Sequence, residues 1–118
     1  LRSFTFTKAD RILKRSDFTH VSRFGKKLHN RHFIATFCPG RSKKTRLGIT
    51  VTKKIGNAAA RNRIKRFTRE YYRLNRHKIT DDWDINIIAR KEAVDLSSDQ
   101  AFSSLRNIFD RISGSYDY

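Results

Sequence analysis

Apolar positions along this chain change period several times, and each change marks an element. From Lys27 to Cys38 the side chains alternate, with Phe33, Ala35 and Phe37 on one face and His32, Ile34, Thr36 and Cys38 on the other. That is the pattern of a strand with one buried face. Alternation alone leaves open whether this segment splits into two strands at His29 to Arg31. After a basic turn from Pro39 to Thr45, the segment Arg46 to Lys54 repeats the period, Leu47, Ile49 and Val51 opposing Gly48, Thr50, Thr52 and Lys54. One sheet face is thus apolar and the other small, polar and basic. Trp83 to Arg90 reads as a further strand through Ile85, Ile87 and Ala89.

Helical spacing fills the remainder. Ser16 is read as the N-cap of a short helix through Phe24, with Phe18, Val21 and Ser22 on one side and Gly25 as its stop. Gly56 and Asn57 break the second strand, and Asn57 caps a helix from Ala58 to about His77 whose stripe is Ala60, Ile64, Phe67, Tyr71 and Leu74. Asp81 and Asp82 suit a turn, and Ser97 with Gln100 forms a capping box for a last helix with Ala101, Phe102, Leu105, Ile108, Phe109 and Ile112 as its apolar set. The order, about αβββαβα, predicts an α+β fold, a single-domain two-layer sandwich with one sheet covered by helices. Residues 1–15 are expected to lie extended or fray, 113–118 to form a short tail, and 1–118 to make one domain.

Charge changes the picture from fold to function. Lys and Arg total 27 against 11 acidic residues, a formal charge of +16, which selects a polyanionic partner. No stretch approaches the roughly 18 apolar residues of a membrane span, and no charged n-region followed by an apolar run opens the chain. The expectation is a cytoplasmic protein with no membrane partner, and the absence of any Met suggests a trimmed chain. Cys38 at the end of an apolar strand reads as a small buried hydrophobe. On the central helix Arg61, Asn62, Lys65, Arg66, Arg69, Arg73 and Arg76 fall opposite the apolar stripe, with Glu70 the only acid in the helix. Like charges at such spacing destabilise a helix unless an anion neutralises them, so this face calls for phosphate. Arginine suits RNA and DNA alike.

The residues themselves narrow the choice. The run Lys53-Lys54-Ile55-Gly56-Asn57-Ala58-Ala59-Ala60-Arg61-Asn62-Arg63-Ile64-Lys65-Arg66 resembles, nearly letter for letter, the signature of the bacterial ribonuclease P protein family, and Arg46-Leu47-Gly48-Ile49-Thr50-Val51 precedes it as in that family. The likeness continues in Leu13-Lys14-Arg15-Ser16-Asp17-Phe18, Asn30-Arg31-His32-Phe33 and Ile87-Ile88-Ala89-Arg90-Lys91, covering about residues 11–112. The resemblance implies a left-handed βαβ crossover and a protein subunit that binds ribonuclease P RNA and precursor tRNA to promote removal of the 5′ leader. It implies contacts to the catalytic RNA from Arg61, Asn62, Arg63, Lys65, Arg66 and Arg69. It implies a leader-binding cleft of Phe18, Thr36, Thr50, Thr52, Lys53, Lys54, Arg90 and Lys91. Phe18 would stack a base or wall the cleft, and packing of the first helix accounts for it equally well. Ser22 stands where many relatives carry a second aromatic and Thr36 where some carry Tyr, which weakens stacking unless Phe24 or His20 compensates.

No catalytic or metal site is expected in the protein. Asp81, Asp82 and Asp84 suit a turn and a strand; His29 and His32, an odd distance apart, would face opposite sides of one strand. There is no Ser-His-Asp signature or Gly-rich phosphate loop. The resemblance implies that the RNA subunit performs hydrolysis with Mg²⁺, that the protein binds no cofactor tightly, and that no obligatory protein partner is needed. The competing readings are a generic RNA-binding or ribosome-associated protein, a DNA-binding module and a protein-only nuclease. A DNA-reading helix normally follows a short turn from another helix or a zinc site, and this one follows a strand.

Overall fold

The computed structural model describes residues 6–40, 44–79 and 82–114. Helix α1 spans Arg15–Phe24, strands β1, β2 and β3 span Lys26–His29, Phe33–Pro39 and Arg46–Thr50, helix α2 spans Ala58–Asn75, strand β4 spans Trp83–Ala89 and helix α3 spans Ser98–Gly114. The strands form one sheet in the order β1-β2-β4-β3, with β1·β2 and β2·β4 antiparallel and β3·β4 parallel. The β3-α2-β4 connection is therefore a crossover between neighbouring parallel strands.

The two sheet faces carry different layers. Phe33, Ala35, Phe37, Leu47, Ile85 and Ile87 point to a core closed by α2 and α3, through Ile64, Tyr71 and Tyr72 and through Leu105, Ile108 and Ile112. Burial pushes the Tyr71 and Tyr72 hydroxyls up to about 12. On the opposite face α1 packs at one end, where Val21, Cys38 and Ile12 form a small second cluster flanked by Phe18. Gly25 stops α1 where the chain must pass close to other backbone: a Cβ there would collide with the Val21 carbonyl and lie 2.8 Å from that of Phe37.

The first strand segment does split. The side-chain Oδ1 of Asn30 accepts from the backbone N–H groups of His32 (3.0 Å) and Phe33 (2.9 Å), closing the turn between β1 and β2. Because β2 begins only at Phe33, His32 leaves the predicted face and its Nδ1 meets Ser104 Oγ of α3 at 3.0 Å. Strand β3 ends at Thr50, and Lys53–Ile55 form a 3₁₀ turn that turns Ile55 inward, so Lys54 is outside the alternation. The caps at Asn57 and Ser97 are as expected: Asn57 Oδ1 accepts from Ala60 N (2.9 Å), and Ser97 and Gln100 bond reciprocally at 3.0 and 3.2 Å.

Three expectations are corrected. Ser16 is not the cap of α1: the N-cap is Lys14, two residues earlier, with no side-chain cap bond. The buried stripe of α2 turns toward Thr68 and Tyr72, while Leu74 is exposed, because the N-terminal segment covers the Tyr72 side: Phe6 packs edge-on to that ring at 5.6 Å. Of the N-terminal segment, residues 1–5 lie outside the described residues, and the part from 6 onward is extended along the body only in part. Lys8–Asp10 form a 3₁₀ turn, Arg11 bridges to Leu47, and Ile12 N donates to the Leu47 carbonyl at 3.0 Å. Of the predicted turn at Asp81 and Asp82, Asp81 lies outside the described residues, as does the end of the predicted tail.

Candidate nucleic-acid interface

The site begins with an ionic tie between α1 and the sheet. Asp84, wholly buried on β4, accepts from Arg46 of β3 at Nε (2.9 Å) and Nη2 (2.8 Å). Arg46 Nη1 reaches Asp17 of α1 at 3.3 Å. Bonding to Asp84 raises the pKa of the Arg46 guanidinium further. Held this way, α1 lays Phe18 directly on Gly48: a Cβ on that glycine would overlap the ring. Phe18 is thus both a packing residue and a surface one.

Beyond Phe18 a groove of about 760 Å³ opens between α1 and the sheet, with Arg15, Thr19, Ser22 and Arg23 as its helical wall, Leu13 of the preceding segment beside them, and Thr50 and Asn86 on the strand side. Phe18 also borders a smaller pocket of about 170 Å³ shared with Ile12, Lys65 and Arg69, so the ring stands between the groove and the cationic face of α2. Strand register explains the floor. Asn86 lies opposite Thr36 on one side and Gly48 on the other, and Ile88 lies opposite Ile34 and Thr50.

The expected leader-binding residues do not all meet. Phe18 and Thr50 line the groove. Thr36 is 3% exposed and its hydroxyl is buried without a partner, so it lies beneath the surface. Thr52, Lys53, Lys54 and Lys91 are exposed beyond the ends of β3 and β4. Those strands run parallel and so finish at one edge, where the turns Lys53–Ile55 and Lys91–Ala93 lie against each other. Arg90 joins them and donates from Nη1 to the Asn30 carbonyl at 3.1 Å. The rings of His20 and Phe24 meet at a tilt with centroids 5.0 Å apart, and Phe24 is 67% exposed, but neither lines the groove.

On α2 the cations divide. Arg61, Lys65, Arg66 and Arg69 meet no carboxylate among the described residues. Arg63 Nη2 donates to the Leu96 carbonyl at 2.9 Å while its guanidinium lies over Phe67 at 5.1 Å, and Arg66 covers the same ring at 5.5 Å. Asn62 is exposed. Arg73 pairs instead with Glu70, and Arg76 donates to the buried Asp10 at 2.9 Å. Lys44 reaches the same Asp10 oxygen at 2.8 Å. Burial alone would raise the Asp10 carboxyl, but bonds from Arg76, Lys44 and Thr7 prevail and hold it well below the usual carboxylate range.

Sequence reasoning missed Asn86 and the wall residues Arg15, Thr19 and Arg23. Asn86 was legible as a polar residue, with Asp84, in the set Asp84, Asn86 and Ile88 that alternates with Ile85, Ile87 and Ala89. The wall depends on the tilt of α1, which Asp17 and Arg46 set across 29 positions of sequence. Among the described residues no three His, Cys, Asp or Glu side chains gather as a metal site would need, and no helix is long and apolar enough to cross a membrane. Burial and the Arg31 charge lower the pKa of His32, whose ring meets Ser104.

A small basic domain whose central helix carries Arg61, Lys65, Arg66 and Arg69 with no carboxylate partner among the described residues, beside a groove floored by a sheet, is built to bind a nucleic acid. The ribonuclease P family model matches residues 6–113. The chain is 47% identical over 111 residues to the ribonuclease P protein component of Desulfatibacillum aliphaticivorans, covering 94% of each. It superposes on the Staphylococcus aureus RNase P protein with a TM-score of 0.83 at 37% identity, covering 89% of this chain and 96% of that one, and on the Thermotoga maritima protein with a TM-score of 0.79 at 33% identity, covering 86% and 96%. The chain belongs to the ribonuclease P protein family, and its role is in tRNA 5′ processing as part of ribonuclease P.

Proposed function

We propose that the groove beside Phe18 receives the single-stranded 5′ leader of precursor tRNA while the unpaired cations of α2 dock on the catalytic RNA. The observation that carries this is the position of Phe18, whose ring borders both the groove and the pocket beneath Lys65 and Arg69. A strand lying in the groove would therefore run next to RNA held by α2. Arg61, Asn62, Lys65, Arg66 and Arg69 supply phosphate contacts, with Arg63 divided between RNA and its bond to Leu96. Lys53, Lys54, Arg90 and Lys91 form a cationic edge where the leader continues past Thr50 and Thr52. With Ser22 on the wall and Thr36 beneath the surface, Phe18 is the aromatic that stacks.

Hydrolysis belongs to the RNA subunit with Mg²⁺. Among the described residues no three His, Cys, Asp or Glu side chains gather around one point, and the two buried carboxylates are already engaged: Asp84 is bonded twice to Arg46, and Asp10 to Arg76, Lys44 and Thr7. The protein acts by neutralising phosphates and positioning the leader, which favours precursor over mature product.

Cleavage of a 5′-labelled precursor at low magnesium tests this, with protein alone, a bacterial ribonuclease P RNA alone, and both. Strong cleavage at the mature end is expected only with both; cleavage by the protein alone would overturn the division of labour, and tight RNA binding without enhancement would leave a generic RNA-binder. In the same assay Phe18→Ala should cost precursor binding about 1–3 kcal/mol, the worth of one stacked base, and leave mature tRNA binding almost unchanged. Equal losses would reduce Phe18 to packing.

A further inference from the structure

We propose that Asn86 reads the edge of a leader base, so that the groove prefers a nucleotide presenting a hydrogen-bond acceptor, uracil over cytosine, at one position. This rests on the leader occupying the groove, and it adds a residue and a direction of selectivity to that reading.

Three observations converge on Asn86. It lies on the groove floor and is 7% exposed, in the row where Thr36, Asn86 and Gly48 stand opposite one another on three adjacent strands. Its Oδ1 accepts from Thr50 Oγ1 at 3.1 Å, whereas its Nδ2 has no protein partner among the described residues and is not sealed from the groove. An N–H that opens onto the groove is met by water while the groove is empty and is free to donate to a ligand acceptor that displaces that water. Finally, Gly48 brings ring and amide together: a Cβ there would overlap Phe18 and lie 3.3 Å from Asn86 Oδ1.

The chemistry follows from which atom is already engaged. A free asparagine can rotate to offer either N–H or C=O to a base. Here the Thr50 hydroxyl holds the carbonyl, so the N–H is the group left for the groove. Stacking on Phe18 fixes the plane of a base and treats the two pyrimidines alike. The difference between them falls on the exocyclic atom at the amide: uracil O4 accepts from Nδ2, whereas the cytosine amino group would set donor against donor.

The test uses the reconstituted holoenzyme and precursors whose leader is scanned one position at a time with U and C, with affinities measured beside mature tRNA. The wild type should favour U at one position by roughly three- to tenfold, the range of one net hydrogen bond. Asn86→Val should bring that ratio to about one. Asn86→Asp, which can only accept, should invert it toward C, and Thr50→Val should relax it by freeing the amide to rotate. Should Asn86→Asp fold poorly, the two valine variants carry the test. No preference in the wild type, or an unchanged preference in Asn86→Val, overturns the inference. If Phe18→Ala still lowers precursor affinity against mature tRNA in that case, the groove as leader site stands and only the role of Asn86 falls; if Phe18→Ala lowers both alike, the groove reading has failed as well.

Discussion

The two halves of α2 are built from similar residues and do opposite work. From Arg61 to Arg69 the cations face solvent, aromatic rings or the Phe18 pocket, and among the described residues no carboxylate answers Arg61, Lys65, Arg66 or Arg69. From Glu70 onward each arginine has a carboxylate, Glu70 for Arg73 and Asp10 for Arg76. The first half keeps its charge available for a partner. The second spends its charge inside the fold, fastening the N-terminal segment that supplies Ile12 and Leu13 to the neighbourhood of the groove. An arginine-rich helix is therefore not uniformly an RNA surface, and partner carboxylates distant in sequence mark where the surface ends.

The largest effect that would expose this difference is on stability. Asp10→Ala leaves Arg76 and Lys44 facing a vacated, buried site, and loss of one member of a buried ion pair costs about 3–5 kcal/mol. Lys44 is 45% exposed and recovers hydration, so about 3 kcal/mol is expected at neutral pH. Urea unfolding reads it directly. A loss below about 1 kcal/mol would make the link an ordinary surface pair and dissolve the contrast between the halves.

Arg66→Ala should do the reverse. Its guanidinium touches Phe67 but holds no carboxylate, so stability should change by less than about 0.5 kcal/mol. Affinity for the catalytic RNA should fall, and the slope of log affinity against log salt should flatten by about one. An unchanged slope would remove Arg66 from the contact face and leave the first half of α2 without its proposed task.

How far the sequence reveals these divisions depends on the range of the interactions that set them. Strands, caps and the α3 stripe rest on neighbours within a few residues, and alternation or spacing states them: Asn57, Ser97 and Gln100 bond as their types predict. The α2 stripe was legible at Ile64 and Tyr71 and misread at Leu74, since Tyr72 is covered by Phe6, 66 positions away in the chain. The same range defeats the site. Arg76 shares a helix face with Arg69, and only the fold shows that Asp10 takes it up. Thr36 and Thr50 share a sheet face by alternation, but only the seating of α1 leaves one lining the groove and the other beneath it. The rings of His20 and Phe24 meet each other, and neither lines the groove.

The smallest effect concerns pH, and its sign follows from Asp10. Its folded carboxyl lies below its ordinary value, so the stabilisation it provides is complete above the unfolded value of about 3.9 and is lost as pH falls toward the folded one. In that window the unfolded chain takes up a proton that the native one does not, and stability declines with falling pH. Asp10→Asn cannot titrate there. The gap in unfolding free energy between wild type and Asp10→Asn should therefore stay constant from pH 7 to pH 5, then narrow below about pH 4 as the wild type alone loses this contribution. Urea midpoints measured across that range give both curves. A gap that already closes between pH 6 and pH 5 would mean that the Asp10 carboxyl is not held low by Arg76, Lys44 and Thr7, and that the second half of α2 is fastened by packing on Tyr72 rather than by charge.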